Sequence, residues 1–339
     1  MATRIAINGF GRIGRCVARI IHGQQNSDVE IVAINDLTDS AMLAHLLKYD
    51  SAHRTFGENV SVGDGYLAIG DHRISVTAER DPAKLPWKEQ NVDIVLECTG
   101  LFRDREKAGL HLQAGAKKVI ISAPAKGDDL TVVVGVNDDK YDGSKHNILS
   151  NGSCTTNCLA PPARVLLDNF GIEKGMLTTI HAYTNDQALL DLPHRAGDLR
   201  RGRAAATNMV PSSTGAAKAI YSIIPELDGK FDGMAIRVPT LDVSLVDLTV
   251  QLSKDTSVEE VNAAMKAAAD SGPMAGVLDY TEIQLVSSDY IGCPASSIVD
   301  GSLTQVLGGR MAKVFAWYDN EWGFSNRMVD LAGIVGASL

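Results

Sequence analysis

In the first half of the chain, short apolar bursts alternate with stretches at helical spacing. Residues 3–7 (TRIAI) read as a short buried strand, and residues 12–22 carry Ile13, Cys16, Val17, Ile20 and Ile21 along one helix face. Residues 30–34 predict a second strand and 39–48 a helix. Residues 92–98 (VDIVLEC) predict a strand buried on both faces, as in a parallel sheet. A helix over 103–114 and strands over 117–122 and 131–135 follow, in the order of βαβ units. Later the rhythm changes. Residues 246–252 (VDLTVQL) alternate strictly, as a strand with one wet face does, and Val258, Val261, Ala264, Met265 and Ala268 mark an amphipathic helix. An antiparallel sheet with helices on one side is expected there.

The junction of the first strand and first helix is Asn8-Gly9-Phe10-Gly11-Arg12-Ile13-Gly14, a G-x-G-x-x-G placed where a strand turns into a helix. Gly9 allows the tight turn, Gly11 lets backbone approach a diphosphate, and Gly14 lets helix and strand pack closely. The anion then rests on free N–H groups at the positive end of the helix. Asp36 ends the second strand about 20 residues further on, where a carboxylate accepts hydrogen bonds from a ribose and repels a 2′-phosphate. NAD is therefore expected rather than NADP; a solvated turn aspartate is the plainer alternative. Thr99 and Gly100 close the 92–98 strand, where open sheets gather ligands. The expected fold class is α/β: a Rossmann-type doubly wound dinucleotide-binding domain over residues 1–150, followed by an α+β domain with a mainly antiparallel sheet.

A length of 339 residues fits two domains, and no apolar run approaches the ~18 residues of a membrane span. The N-terminus lacks a basic segment followed by a long apolar one, so no signal peptide is expected. A net charge of −9 argues against nucleic acid as the main partner, because a phosphate backbone demands a basic face. Five scattered cysteines suit reduced thiols in a cytoplasmic protein better than a disulfide framework.

Two of them, Cys154 and Cys158, stand one helical turn apart in SNGSCTTNCLAP. Ser153 is a good N-cap for a helix over 154–168, with Pro161 and Pro162 expected to distort its start. A disulfide is disfavoured, since i and i+4 side chains hold Cβ atoms about 5–6 Å apart and a disulfide wants about 3.8 Å. No further ligands complete a zinc site, so no metal is expected. Two inert buried thiols remain one reading. The other is a nucleophile: the helix N-terminus favours a Cys154 thiolate, and His181, at the end of an apolar strand, could pair with it as imidazolium and general base.

SNGSCTTNCLAP, IHAYTNDQ, DLRRGRAAA, PSSTGAAKA, RVPTLDVSLVDLT and WYDNEWGFSNRM together resemble the phosphorylating glyceraldehyde-3-phosphate dehydrogenases, over essentially the whole chain. The resemblance implies that Cys154 attacks the aldehyde, that His181 takes its proton, and that inorganic phosphate releases an acyl phosphate. It implies a substrate phosphate site at Thr184 and Arg237, an inorganic phosphate site at Ser153, Thr155, Thr214 and Gly215, and Arg201 between them. For NAD it implies Arg12, Ile13, Asp36, Arg80, Ser122 and Asn320, with the glycine turn. It also implies a homotetramer, and a last helix (320–339) that joins the first domain, leaving 151–319 as the catalytic domain. Gly152 stands where the family usually has alanine and is expected to loosen the nucleophile loop. Arg54 stands where glycine is expected, and the 193–199 loop is longer than the common pattern. An erythrose-4-phosphate dehydrogenase, or a binding protein on the same fold, are the alternatives; the tract 181–187 (HAYTNDQ) and the intact Cys154, His181 and Arg237 weigh against them.

Overall fold

A computed structural model describes residues 2–23 and 28–339, and the chain divides into two compact units. The first holds Met1–Val132, Asp138–Ser153 and Ser325–Leu339; the second holds Val133–Asn137 and Cys154–Phe324.

The first unit is built on a nine-stranded sheet. Thr3–Asn8 lies inside it, with Ile7 opposite Ile34 of Val29–Asn35 on one side and Leu96 of Ile94–Glu97 on the other, both parallel. Lys118–Ile121, Ile148–Ser150 and Leu130–Thr131 extend one flank in parallel. His72–Thr77 extends the other, followed by the antiparallel strands Tyr66–Ile69 and Val60–Gly63. The chain leaves Thr3–Asn8 for one neighbour and returns later to the other, so strand order reverses beside it. The carboxyl ends there form the crevice in which such sheets bind ligands. The expected strand over 131–135 is shorter than its apolar pattern suggested: only Leu130–Thr131 pair, and at Val133 the backbone N–H turns to the Asn137 side chain.

The second unit has an eight-stranded sheet with the path Val210–Ser213, Phe231–Val238, Ile172–Ala182, Ser244–Leu252, Met311–Tyr318, Ser297–Asp300, Leu278–Thr281, and Gln305–Leu307 pairs with Met311–Tyr318 off this path. Most of its pairings are antiparallel, but Ile172–Ala182 runs parallel to Phe231–Val238 and Leu278–Thr281 parallel to Ser297–Asp300. Along Ser244–Leu252 every second residue is buried, as the alternation predicts. Val246, Leu248 and Val250 pack in one core with Leu159, Ala163 and Leu166 of the helix Cys154–Phe170 and with Val261 and Met265 of Val258–Asp270. Pro161 and Pro162 sit buried inside Cys154–Phe170 rather than at its start. Lacking N–H groups, they withhold two ladder bonds from the helix interior, and both rings are buried.

Two backbone angles explain departures from the family pattern. Gly152 has φ 65, in the left-handed region where an alanine costs roughly 1–2 kcal/mol. Glycine suits this conformation rather than loosening it. Arg54 has φ 63 in the hairpin joining Tyr49–Asp50 to Arg54–Thr55. Replacing it by glycine relieves about 1–2 kcal/mol of strain against roughly 0.5–1 kcal/mol of added chain entropy. Arg54→Gly is therefore expected to hold or raise the urea midpoint, and Arg54→Val to lower it. A midpoint for Arg54→Gly clearly below the parent contradicts the strain.

Candidate active site

At the crevice of the first unit lies a cavity of about 360 Å³. Of the residues expected to hold a dinucleotide, Gly9, Gly11, Asp36, Arg80 and Thr99 line it. The glycine turn is as tight as its sequence requires. Gly9 has φ 91, and a Cβ there would lie 2.7 Å from the Thr99 nitrogen; one on Gly14 would lie 2.5 Å from the Gly9 oxygen. A Cβ on Gly11 would meet nothing within 4 Å, so its backbone stays open to a ligand. Asp36 accepts from the Phe10 N–H at 2.8 Å and the Thr38 N–H at 2.9 Å, which ties the second strand to the glycine turn.

Other expected cofactor residues stand outside the lining. The Arg12 guanidinium pairs with Asp50, with a second contact at 3.2 Å. Burial pushes the Asp50 carboxyl up, but hydrogen bonds from His53 and Arg12 hold it far below the usual range. Ile13 and Gly100 are half-buried beside the two turns. Ser122 is half-buried next to Cys98, whose thiol burial and the Glu97 charge push up to about 12. Sequence reasoning missed Asn8, Asn35, Leu37, Glu79 and Phe102 in the lining. The one legible signal was a run of polar groups, Asn8 and Asn35-Asp36, at buried strand ends. Apolar walls, a glycine turn and an acidic strand end fit an adenosine diphosphate moiety.

In the second unit, Cys154 opens its helix and His181 comes from the next strand, with Sγ 3.5 Å from Nε2. The other imidazole nitrogen, Nδ1, donates to the Ala182 carbonyl at 2.7 Å, so Nε2 carries the lone pair that faces the thiol. Arg237 stands directly opposite His181 in the parallel pairing. Its guanidinium donates to the Ala182 oxygen at 3.2 Å and to Thr184 Oγ1 at 3.0 Å, and lies 3.1 Å from His181 Nδ1. Burial, reinforced by the Arg237 cation, lowers His181 to about 3. Burial pushes the Cys154 thiol up, only partly offset by Arg237 and the Thr155 N–H. Burial therefore works against the expected thiolate–imidazolium pair, while Arg237 and the Thr155 N–H favour the thiolate. Cys158 is buried, 3.7 Å from Ser297 Oγ, and burial pushes its thiol up strongly.

Around this pair the structure gathers several expected anion ligands. Thr184 donates to Asp186, and Arg201 reaches the other Asp186 oxygen at 2.8 Å, so Thr184, Arg201 and Arg237 form one network. Despite burial, the Thr184 bond and the two guanidiniums keep the Asp186 carboxyl below its ordinary range. Thr214 Oγ1 accepts from the Ala216 N–H at 3.2 Å, capping the helix Ala216–Ile223, and Gly215 is exposed beside it. Thr155 is buried, with its hydroxyl 2.9 Å from Tyr318 Oη and within hydrogen-bond reach of the Cys154 thiol. Ser153, in the first unit, is half-buried and directly precedes Cys154 in the chain.

Sequence reasoning also missed Asp186, Tyr318 and Ser244. The Tyr318 ring stands edge-on to His181 at 5.8 Å, and its hydroxyl bridges Thr155 and Thr179. Ser244 accepts from the Ala182 N–H at 3.1 Å and donates to Asn320 Oδ1 at 2.6 Å, so Asn320 is tied to the strand end that carries His181. The preceding residue, Val243, has φ 68, a strained conformation for a β-branched side chain and one that clusters at functional sites. A His within hydrogen-bond reach of a Cys, its far nitrogen anchored and cations alongside, can take the thiol proton and let sulfur attack an electrophilic carbon.

Removing the Arg237 charge withdraws an interaction that favours thiolate. Arg237→Gln should therefore move the pH profile of Cys154 alkylation by iodoacetamide upward, slowing it at pH 8 because thiolate is the nucleophile. A profile that stays in place or moves downward contradicts this electrostatic account.

Comparison with known proteins agrees with this geometry. Family profiles described as "Glyceraldehyde 3-phosphate dehydrogenase, NAD binding domain" and "Glyceraldehyde 3-phosphate dehydrogenase, C-terminal domain" match residues 3–105 and 153–320. The chain is 58% identical over 330 residues to glyceraldehyde-3-phosphate dehydrogenase 1 of Bacillus cereus, covering 97% of each chain. It is 57% identical over 337 residues to glyceraldehyde-3-phosphate dehydrogenase of Geobacillus stearothermophilus, covering 99% of each. It is also 57% identical to the enzyme of that name from Mycolicibacterium smegmatis, covering 100% of each.

Proposed function

The chain belongs to the glyceraldehyde-3-phosphate dehydrogenase family, and we propose that it converts D-glyceraldehyde 3-phosphate, NAD and inorganic phosphate to 1,3-bisphosphoglycerate through a thioester on Cys154. The carrying observation is the Cys154–His181 pair, 3.5 Å apart with Nδ1 anchored on Ala182. The relatives share one name, which leaves the erythrose-4-phosphate alternative unfavoured.

In this reading the Cys154 sulfur bonds to the aldehyde carbon while His181 Nε2 takes the thiol proton and passes it to the oxygen. The Cys154 backbone N–H and protonated His181 stabilise the developing oxyanion. His181 then removes the hydroxyl proton as the carbonyl reforms. NAD, when bound, supplies the hydride acceptor for that oxidation. A phosphate oxygen next attacks the thioester, the C–S bond breaks, and His181 returns a proton to Cys154. Thr184 and Arg237 would hold the substrate phosphate, with Ser153, Thr214, Gly215 and Arg201 around the attacking one; guanidinium and hydroxyl donors suit dianions. Asp36, with Gly9, Gly11, Gly14 and Arg80, would hold the adenosine half of the cofactor, and Asn320 the nicotinamide carboxamide.

We further infer a homotetramer in the cytoplasm. Leu189, Leu190, Leu192 and Leu199 are 65–89% exposed in one stretch of a single chain, which favours a covering partner. No helix among the described residues is long and apolar enough to cross a membrane.

Phosphate dependence tests the reaction. Steady-state NADH formation should require phosphate or arsenate. Thr214→Ala should raise the KM for phosphate about tenfold, for a charged hydrogen bond worth roughly 1.5–3 kcal/mol, and leave the KM for NAD within about twofold. Equal turnover without phosphate would mean a free acid as product and end the proposal.

A further inference from the structure

Glu97 is a charged residue in an otherwise apolar buried strand, after Ile94, Val95 and Leu96. Its side chain is fully buried, yet the reaction described above gives it no role. A buried carboxylate costs several kcal/mol unless hydrogen bonds compensate it. Here all its acceptor capacity is used. Oε1 accepts the Thr99 N–H at 2.8 Å and the Thr99 hydroxyl. Oε2 accepts Asn8 Nδ2 at 2.6 Å and His111 Nε2 at 3.0 Å.

These donors fall on two sides. On the core side, the Trp87 indole N–H donates to His111 Nδ1 at 3.0 Å. That bond fixes the His111 tautomer, leaves Nε2–H aimed at Glu97, and anchors the carboxylate to two fully buried rings. On the other side stand Asn8 and Thr99, both in the cavity lining. Asn8 Oδ1 accepts Asn35 Nδ2 at 2.8 Å, and Asn35 in turn holds the Glu79 backbone at 2.9 Å. The Thr99 hydroxyl also accepts the Leu101 N–H at 3.0 Å, setting the turn after the strand. One carboxylate therefore fixes, directly or through one residue, the glycine turn, the end of the Asp36 strand and the Thr99 turn.

We infer that Glu97 is a positioning residue for cofactor binding: backed by the Trp87–His111 pair, it holds Asn8 and Thr99, and through Asn8 the Asn35–Glu79 wall, in the geometry that receives the dinucleotide. The inference rests on the reading of this cavity as the NAD site. An amide cannot replace the carboxylate. Four donors converge on its two oxygens, and a glutamine turns a donor toward one pair of them, leaving that side of the network unpaired.

The test is Glu97→Gln in the full chain, with NAD affinity by calorimetry and steady-state kinetics. The KM and Kd for NAD should rise tenfold or more, while kcat at saturating NAD stays within about threefold. A merely structural role would lower the active fraction, and so kcat, and leave the KM for NAD unchanged; that result overturns the inference. If Glu97→Gln does not fold, Thr99→Val removes the hydroxyl that donates to Glu97, and with it the acceptor for the Leu101 N–H. It should raise the Kd about fivefold, and an unchanged Kd then overturns the inference. Failure of the parent protein to bind NAD would instead overturn the cavity assignment itself.

Discussion

The parallel pairing of His181 with Arg237 is the constraint on which the catalytic half depends. It sets a permanent cation against the side of the imidazole that already donates to Ala182. With Nδ1 blocked and burial penalising a second proton, the ring keeps its Nε2 lone pair directed at Cys154. The same guanidinium favours thiolate and reaches Thr184, so in the proposed mechanism one residue links proton transfer to anion recognition. All of these contacts converge on one guanidinium nitrogen, Nη1.

The surroundings hold this arrangement still. Tyr318 braces the imidazole edge-on and buries Thr155, while Ser244, placed after the strained Val243, ties Asn320 to the Ala182 backbone. In the first unit, backbone does comparable work. Gly9 and Gly14 bring the turn, helix and neighbouring strand closer than any side chain permits, and Glu97 and its partners stand beneath that turn.

Much of the fold was legible because its signals are local. Glycine spacing, the period of two in 246–252 and helical stripes reflect constraints within a few residues of each other. Thr131 onward was not, because the departure at Val133 is set by Asn137 and not by apolar content. The two prolines do not end the helix, which runs from Cys154 to Phe170 with both of them buried inside it. At the site, Cys154, His181, Thr184, Arg201 and Arg237 were named from motifs, and the structure brings them together. The burial that raises the Cys154 thiol and lowers His181 was not legible, since helix position alone argues for thiolate. Tyr318 carries no spacing signature, because its partners Thr155 and Thr179 are far off in sequence, and Asp186 meets Arg201 only through the folding of the loop between them. Glu97 did leave a trace, a charge amid VDIVLEC, which calls for buried donors.

The central claim is that Cys154, relieved of its proton by His181, carries the substrate carbon. Mixing the protein with D-glyceraldehyde 3-phosphate and NAD without phosphate, then quenching in acid and sequencing peptides by mass spectrometry, tests it most directly. An acyl group on the Cys154 peptide that disappears when phosphate is added is the predicted result. An unmodified Cys154 peptide, or the acyl group on Cys158, would contradict the account.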